Sequence, residues 1–332
     1  MIGIYGPDTE RIAQMYYKRL REWLRVSEEK DKFRKLMAKP NIEQDYMDML
    51  EFTYSLIEPE QNNRILAKPD TLKDIADDFK RDFNDCIEQY DNLPDEDENK
   101  KNTAFGKFKK NMEDFYDGFM KSSRRKETFG MQLSRSLNIR TCPYCNRSYT
   151  FSIDEKMNEA SDKRVRVRPE FDHFYPKAKY PCLALCFYNL IPSCPVCNHL
   201  KKEREIDLNP YLIDTENSPI YFNLKNEKEV KTAEDIVLEV KSSDGRGSGN
   251  IEVLGLQHLY NEHKDYVKEM MDKAVAYDKS YYDGLMESFR GMNLNAQDIE
   301  NRIWGTYTEC SDLGKRPLSK LTRDILKIYN IR

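Results

Sequence analysis

At 332 residues, with 39% hydrophobic and 34% charged residues, the chain has material for two or three domains. Its 21 Tyr and 15 Phe exclude a disordered polar polypeptide, and a formal charge of −4 excludes a globally basic nucleic-acid binder, so any such site must come from local patches. The start, "MIGIYGPDTERIAQ", lacks the basic region and apolar run of a signal peptide, and no stretch approaches the roughly 18 apolar residues of a membrane span. The expected location is the cytoplasm.

From Asp8 to about Met37, apolar residues recur at helical spacing, with Asp8 or Thr9 as the cap and Pro40-Asn41 as the break. A second helix is expected through "YMDMLEFTYSLIE" and a third through "TLKDIADDFKRDFNDCIEQY". Asp91 to Ala104 is polar and aperiodic and reads as a linker. A long helix from about Phe105 to Leu137, crossing the basic cluster Lys121–Lys126, is expected next.

The centre holds two Cys-x-x-Cys pairs, "CPYC" and "CPVC", strand-like "RSYTFSI" and "RVRVRPEFD", the apolar run "LALCFYNLIPSC", and a helix start at "NHLKKERE". Beyond it, "PIYFNLK" and "DIVLEVKSS" read as strands, and helical periodicity returns from Leu254 to about Glu287 and from Ala296 to Ile331. The regions are therefore a helical 1–92, a linker with a basic helix over 93–135, a central domain over 136–215, and an α/β then helical 216–332. No internal repeat, Walker-type phosphate loop or G-x-G-x-x-G occurs.

A thiolate pair two residues apart can turn both sulfurs toward one ion. Cys142, Cys145, Cys194 and Cys197 thus make a tetrahedral Cys₄ set for structural Zn²⁺. Coincidental buried or redox-active cysteines are the competing reading, and two knuckles in one short region favour metal. The insertion between the pairs is far longer than the roughly 15–20 residues of an ordinary zinc ribbon, so the clamp encloses something. Asn146 and Asn198, one after each pair, suit positive φ or local hydrogen bonding. Cys86, Cys182, Cys186 and Cys310 read as core residues, and His258 and His263 as structural.

Inside the clamp lies "PEFDHFYPKAKYP", with Asp172 directly before His173. A carboxylate suits Mg²⁺, and a neutral imidazole can take a proton from water near pH 7. Their side chains point to opposite faces of a strand and converge only where it ends in a turn. As a base, His173 is expected in an open cleft. Asn189 and Asn198 follow farther along the chain. Lys177, Lys179, Lys201 and Lys202 surround these residues in sequence, as do Arg204 and the run Lys163, Arg164, Arg166 and Arg168; such runs are usually solvated faces, but beside a phosphodiesterase site they are expected to contact phosphate.

The string "FDHFYPKAKYPCLALCFYNLIPSCPVCNHLKK…NPY" resembles the HNH, or ββα-metal, nuclease superfamily in its zinc-knuckled form, in particular the (PtuB-type) nuclease component of Septu-type and some retron-linked anti-phage systems. The strong match spans about Arg140 to Tyr211, and the first hundred residues carry none of it. The resemblance implies an α+β fold: a mostly helical chain around a central zinc-clamped ββα-metal core. It implies Asp172 as a ligand of a catalytic Mg²⁺ or another divalent cation, His173 as general base, Asn189 as the residue that pins the loop, and Asn198 as second metal ligand with His199 as the alternative. It further implies hydrolysis of a nucleic-acid phosphodiester (DNA foremost, RNA or tRNA as alternatives) and a separate ABC/SMC-like ATPase subunit. The competing function is a non-catalytic zinc-clamped module that binds nucleic acid or scaffolds a partner; it accounts for the cysteines and basic residues but not for Asp172, His173, Asn189 and Asn198 together.

Overall fold

Apolar residues at helical spacing in the first hundred positions fold into helices that each bury one face. A computed structural model describes every residue except 5, 7, 59–62, 125–126, 159–162, 215, 227–229, 278, 291, 293 and 330–332. Helix α1 (Thr9–Leu24) buries Ile12, Tyr16, Leu20 and Leu24, one stripe at four-residue spacing. The single helix expected as far as Met37 is two. Arg25 enters the left-handed region at φ 59° and ends α1; Asp31 then caps α2 (Lys32–Met37) by accepting from the Phe33 and Arg34 amides. After α3 (Gln44–Ser55), the third expected helix also divides, at Phe83, into α4 (Pro69–Asp82) and α5 (Asn84–Asp91).

The segment expected as a linker is anchored. Lys100 is buried, and its ammonium donates to the Leu93 carbonyl and the Asp95 carboxylate, each at 2.8 Å. The long basic helix is broken as well: α6 (Ala104–Lys121) gives way to a short antiparallel hairpin, β1 (Ser123–Arg124) with β2 (Glu127–Thr128), before α7 (Phe129–Leu137). Of the basic cluster, Arg125 and Lys126 lie outside the described residues.

In the centre, β3 (Ile153–Lys156) and β4 (Arg164–Val167) form one antiparallel ribbon, and β5 (Glu170–His173) and β6 (Leu190–Ser193) form another. Helix α8 (Pro195–Lys201) follows β6 directly. The strand expected through "RVRVRPEFD" is interrupted at Arg168-Pro169, where proline has no N–H for a ladder. Most of "RSYTFSI" stays irregular, with one bridge from Tyr149 to Thr141. Farther on come the expected pair β7 (Ile220–Leu224) and β8 (Leu238–Ser242), then α9 (Ser248–Val253), α10 (Leu256–Asn261), α11 (Lys264–Ala276), α12 (Lys279–Arg290), α13 (Ala296–Ile303) and α14 (Ser319–Ile328). The fold is α+β, mostly helix with small two-stranded antiparallel sheets. No described helix is long and apolar enough to cross a membrane.

Two polar side chains tie the flanks to the centre. Tyr16 of α1 donates its hydroxyl to the Leu185 carbonyl at 2.9 Å, while its ring meets Phe119 of α6, Phe129 of α7 and Phe187. Asn146, just after the first knuckle, is fully buried at φ 50°. Its amide donates to Thr141 Oγ1 and the Leu313 carbonyl at 3.0 Å, its Oδ1 accepts from the Lys320 amide at 3.0 Å, and its own carbonyl accepts from the Leu318 amide at 2.7 Å. Alanine there would leave several buried groups unpaired and keep the left-handed backbone. Asn146→Ala is expected to cost about 2–4 kcal/mol, read as a lowered urea midpoint with unchanged secondary structure.

Candidate metal centre and Asp-His site

Each Cys-x-x-Cys pair forms a tight turn whose backbone N–H groups face sulfur: Arg147 N lies 3.4 Å from Cys145 Sγ, and Cys197 N lies 3.5 Å from Cys194 Sγ. The second turn is the start of α8, with Cys194 at its N-cap. All four cysteines are buried, and their sulfurs lie within 4.8 Å of one another. Cys145 and Cys194 Sγ are 3.9 Å apart, close to the roughly 3.8 Å edge of a tetrahedron with Zn–S bonds near 2.3 Å. The donor set and its spacing fit a structural zinc ion. The remaining cysteines, Cys86, Cys182, Cys186 and Cys310, are buried and stand outside this cluster.

Both knuckles reach Asp172. Tyr144, inside the first, donates its hydroxyl to Asp172 Oδ2 at 2.7 Å. Lys201, one turn past Cys197 on α8, places Nζ 3.3 Å from Asp172 Oδ1 and donates to the His173 carbonyl at 2.6 Å. Asp172 and Lys201 are both buried, Lys201 completely. Burial is the largest influence on each: it pushes the carboxyl up to about 6 and the ammonium down, and the charge of each partner opposes the shift in the other.

His173 closes β5 and faces away from this pair. Its Nε2 lies 3.0 Å from the Ala184 carbonyl, and its ring packs T-shaped against Tyr116 on α6, with ring centres 4.6 Å apart. A carbonyl only accepts, so Nε2 carries the proton and Nδ1 keeps its lone pair. The open cleft expected around this histidine is absent: the residue is 6% exposed, and burial pulls its pKa down to about 3. Lys177 Nζ lies 5.3 Å from the Tyr116 ring centre.

Asn189 is fully buried and pins the connection between β5 and β6. It accepts from the Tyr175 amide at 2.8 Å and donates to the Tyr175 and Leu183 carbonyls at 3.1 and 3.0 Å. Asn198 lies within α8, with no positive φ, and its amide donates to Glu170 Oε2 at 2.7 Å rather than meeting Asp172. His199 is exposed.

Of the lysines expected at phosphate, Lys201 is a correction: it is buried against Asp172 because helical spacing from Cys197 turns it inward. Lys179 is exposed and pairs with Glu205 at 3.5 Å, and Lys202 is exposed just past α8. Arg164 and Arg166 both contact Asp154. Arg204 donates to the Val253 carbonyl, and His263 Nε2 lies 2.9 Å from Arg147 Nε. A cavity of about 830 Å³ lined by Ile2, Asn138, Arg140, Tyr211 and Lys315 includes none of the Asp-His residues. Sequence reasoning passed over Tyr144, Tyr116 and Glu170; the first was visible inside the knuckle itself, and Glu170 as the position two before Asp172 on the same strand face.

The chain matches no protein-family model, no curated protein and no solved structure.

Two outcomes follow from the geometry. Cys145→Ser or Cys197→Ser is expected to lose zinc by elemental analysis and to lower thermal stability, because structural zinc contributes on the order of 10 kcal/mol to folding. Lys201→Met strands a buried carboxylate and should cost about 3–5 kcal/mol, more than Tyr144→Phe at about 1.5–3 kcal/mol, when unfolding midpoints are compared.

Proposed function

We propose that the protein is an HNH-type endonuclease that hydrolyses nucleic-acid phosphodiester bonds. The observation that carries this reading is the tautomer of His173: with Nε2–H held by the Ala184 carbonyl, Nδ1 is the nitrogen able to accept a proton. Support comes also from the order β5, β6, α8, with the second knuckle at the start of the helix, and from Asn189 in the pinning position the resemblance implies. In the reaction, His173 Nδ1 takes a proton from water as its oxygen bonds to phosphorus. The bond from phosphorus to the leaving ester oxygen breaks, and that oxygen is protonated by solvent.

Mg²⁺ would stabilise charge on that leaving oxygen. The residues as placed do not form its site: both Asp172 oxygens are engaged by Tyr144 and Lys201, and the Asn198 amide is on Glu170. Metal dependence is therefore a proposal about a rearranged site in which these contacts open. Tyr116 must move as well. An ABC/SMC-like ATPase subunit of a Septu-type defence complex is the partner we propose for that opening, with DNA the first substrate to test and RNA or tRNA next.

The burial of His173 favours a second reading, a non-catalytic zinc-clamped module that binds nucleic acid or scaffolds a partner. Plasmid nicking with Mg²⁺ or Mn²⁺, with and without the co-purified operon partner, separates the two. The nuclease reading expects His173→Ala to lose about 10²–10⁴-fold in rate while keeping zinc and fold. Asn198→Ala should lose metal-supported cleavage and His199→Ala should keep most of it. Equal cleavage by wild type and His173→Ala would sink the mechanism, and no cleavage by any preparation would leave the binding module.

A further inference from the structure

The ribbon formed by β3 and β4 has two unlike faces. Ile153 stands opposite Val167, and Glu155 opposite Val165, on one face; Asp154 stands opposite Arg166 on the other. The approach to the ribbon continues the alternation: Tyr149, Phe151 and Ile153 are exposed, while Thr150 and Asp154 between and after them are buried. Five large apolar side chains, Tyr149, Phe151, Ile153, Val165 and Val167, are exposed on the ribbon and the segment leading into it, with Tyr149 47% and Phe151 38% exposed. The Tyr149 and Phe151 rings are stacked, 4.4 Å apart and 21° from parallel.

An arginine lies beside these rings, while Glu155 stands on the neighbouring ribbon face. The Arg140 guanidinium lies 5.7 Å from the Phe151 ring centre and has no carboxylate partner among the described residues. Phe151 also borders a recess of about 230 Å³ whose walls include Arg135, Arg140, Asn138 and Ser152. An open aromatic stack with an unpaired guanidinium and amide and hydroxyl groups next to it matches unpaired bases joined by phosphates.

We propose that the Tyr149–Phe151 stack with Arg140 is a binding platform for single-stranded nucleic acid. Bases stack on the two rings and the Ile153–Val165–Val167 face, and Arg140 meets a phosphate. The ribbon joins β5 through Arg168-Pro169 alone, so Val167 and Asp172 are at most roughly 17 Å apart along an extended chain. As a substrate-delivery surface the platform rests on the nuclease reading; as a binding surface it does not.

The test is fluorescence anisotropy with labelled oligothymidylate and oligouridylate, and with the oligothymidylate–oligoadenylate duplex, on zinc-loaded full chain without added divalent ion. Single strands are expected to bind more tightly than the duplex. Tyr149→Ala/Phe151→Ala should weaken single-strand binding about a hundredfold, roughly tenfold per lost stack, with zinc content and circular dichroism unchanged. Arg140→Gln should weaken it less and flatten its salt dependence. Unchanged binding by the double variant, duplex binding as tight as single-strand binding, or self-association that the double variant abolishes without any nucleic-acid binding would each overturn the proposal. Hydrolysis of bis(p-nitrophenyl) phosphate tests catalysis separately: a wild type that leaves it and plasmid intact yet holds the single strand sinks the nuclease reading and leaves the platform standing.

Discussion

Everything in the centre of this protein is arranged around one carboxylate. Asp172 lies out of water, and an ionised carboxylate there is tolerated only because each oxygen has a donor, Tyr144 on one side and Lys201 on the other. Those donors come from the two halves of the cysteine cluster, and that cluster fixes both. An ion that draws Cys142 and Cys145 toward Cys194 and Cys197 also sets the distance between Tyr144 and Lys201. The zinc-type clamp and the Asp172 pair are thus one mechanical unit, and Lys201 extends it to β5 by holding the His173 carbonyl.

The same logic explains how the strand between the knuckles divides its faces. Asp172 turns toward α8, and His173, next along, turns toward α6 and the Ala184 carbonyl. Alternation along β5 keeps the buried charge apart from the imidazole. Asn189 then fixes the loop that supplies Ala184, through three hydrogen bonds to Tyr175 and Leu183, so the tautomer of His173 depends on an asparagine that does not touch it. Under the nuclease reading this is a closed site, with the base in the right protonation state and Tyr116 across it.

What could be read from the residues themselves was what local spacing decides. The two Cys-x-x-Cys turns and the strands β7 and β8 follow from residues close in the chain, whereas the loop-pinning role of Asn189 came only with the resemblance. Helix ends were harder. Arg25, Phe83 and Ser122 interrupt periodic stretches without a glycine or proline to announce it; Arg25 even takes a left-handed conformation that composition disfavours. The inward turn of Lys201 had a local signal, its place one helical turn past Cys197, but the buried carboxylate that receives the ammonium lies on another element. Tyr116 belongs to a helix more than fifty positions away from His173, beyond the reach of any motif.

The staple at Asn146 has a consequence for the order in which the chain assembles. The contact between the knuckles, Cys145 to Cys194, spans 49 residues, whereas Asn146 to Lys320 spans 174. Closing the longer loop costs only about 1 kcal/mol more in chain entropy. On a nascent chain the difference is one of timing rather than energy: both knuckles have left the ribosome well before Leu313–Lys320 is made. During that interval the four cysteines are available to a metal while the Asn146 amide is still hydrated, so the cluster can form before the helix that seals it.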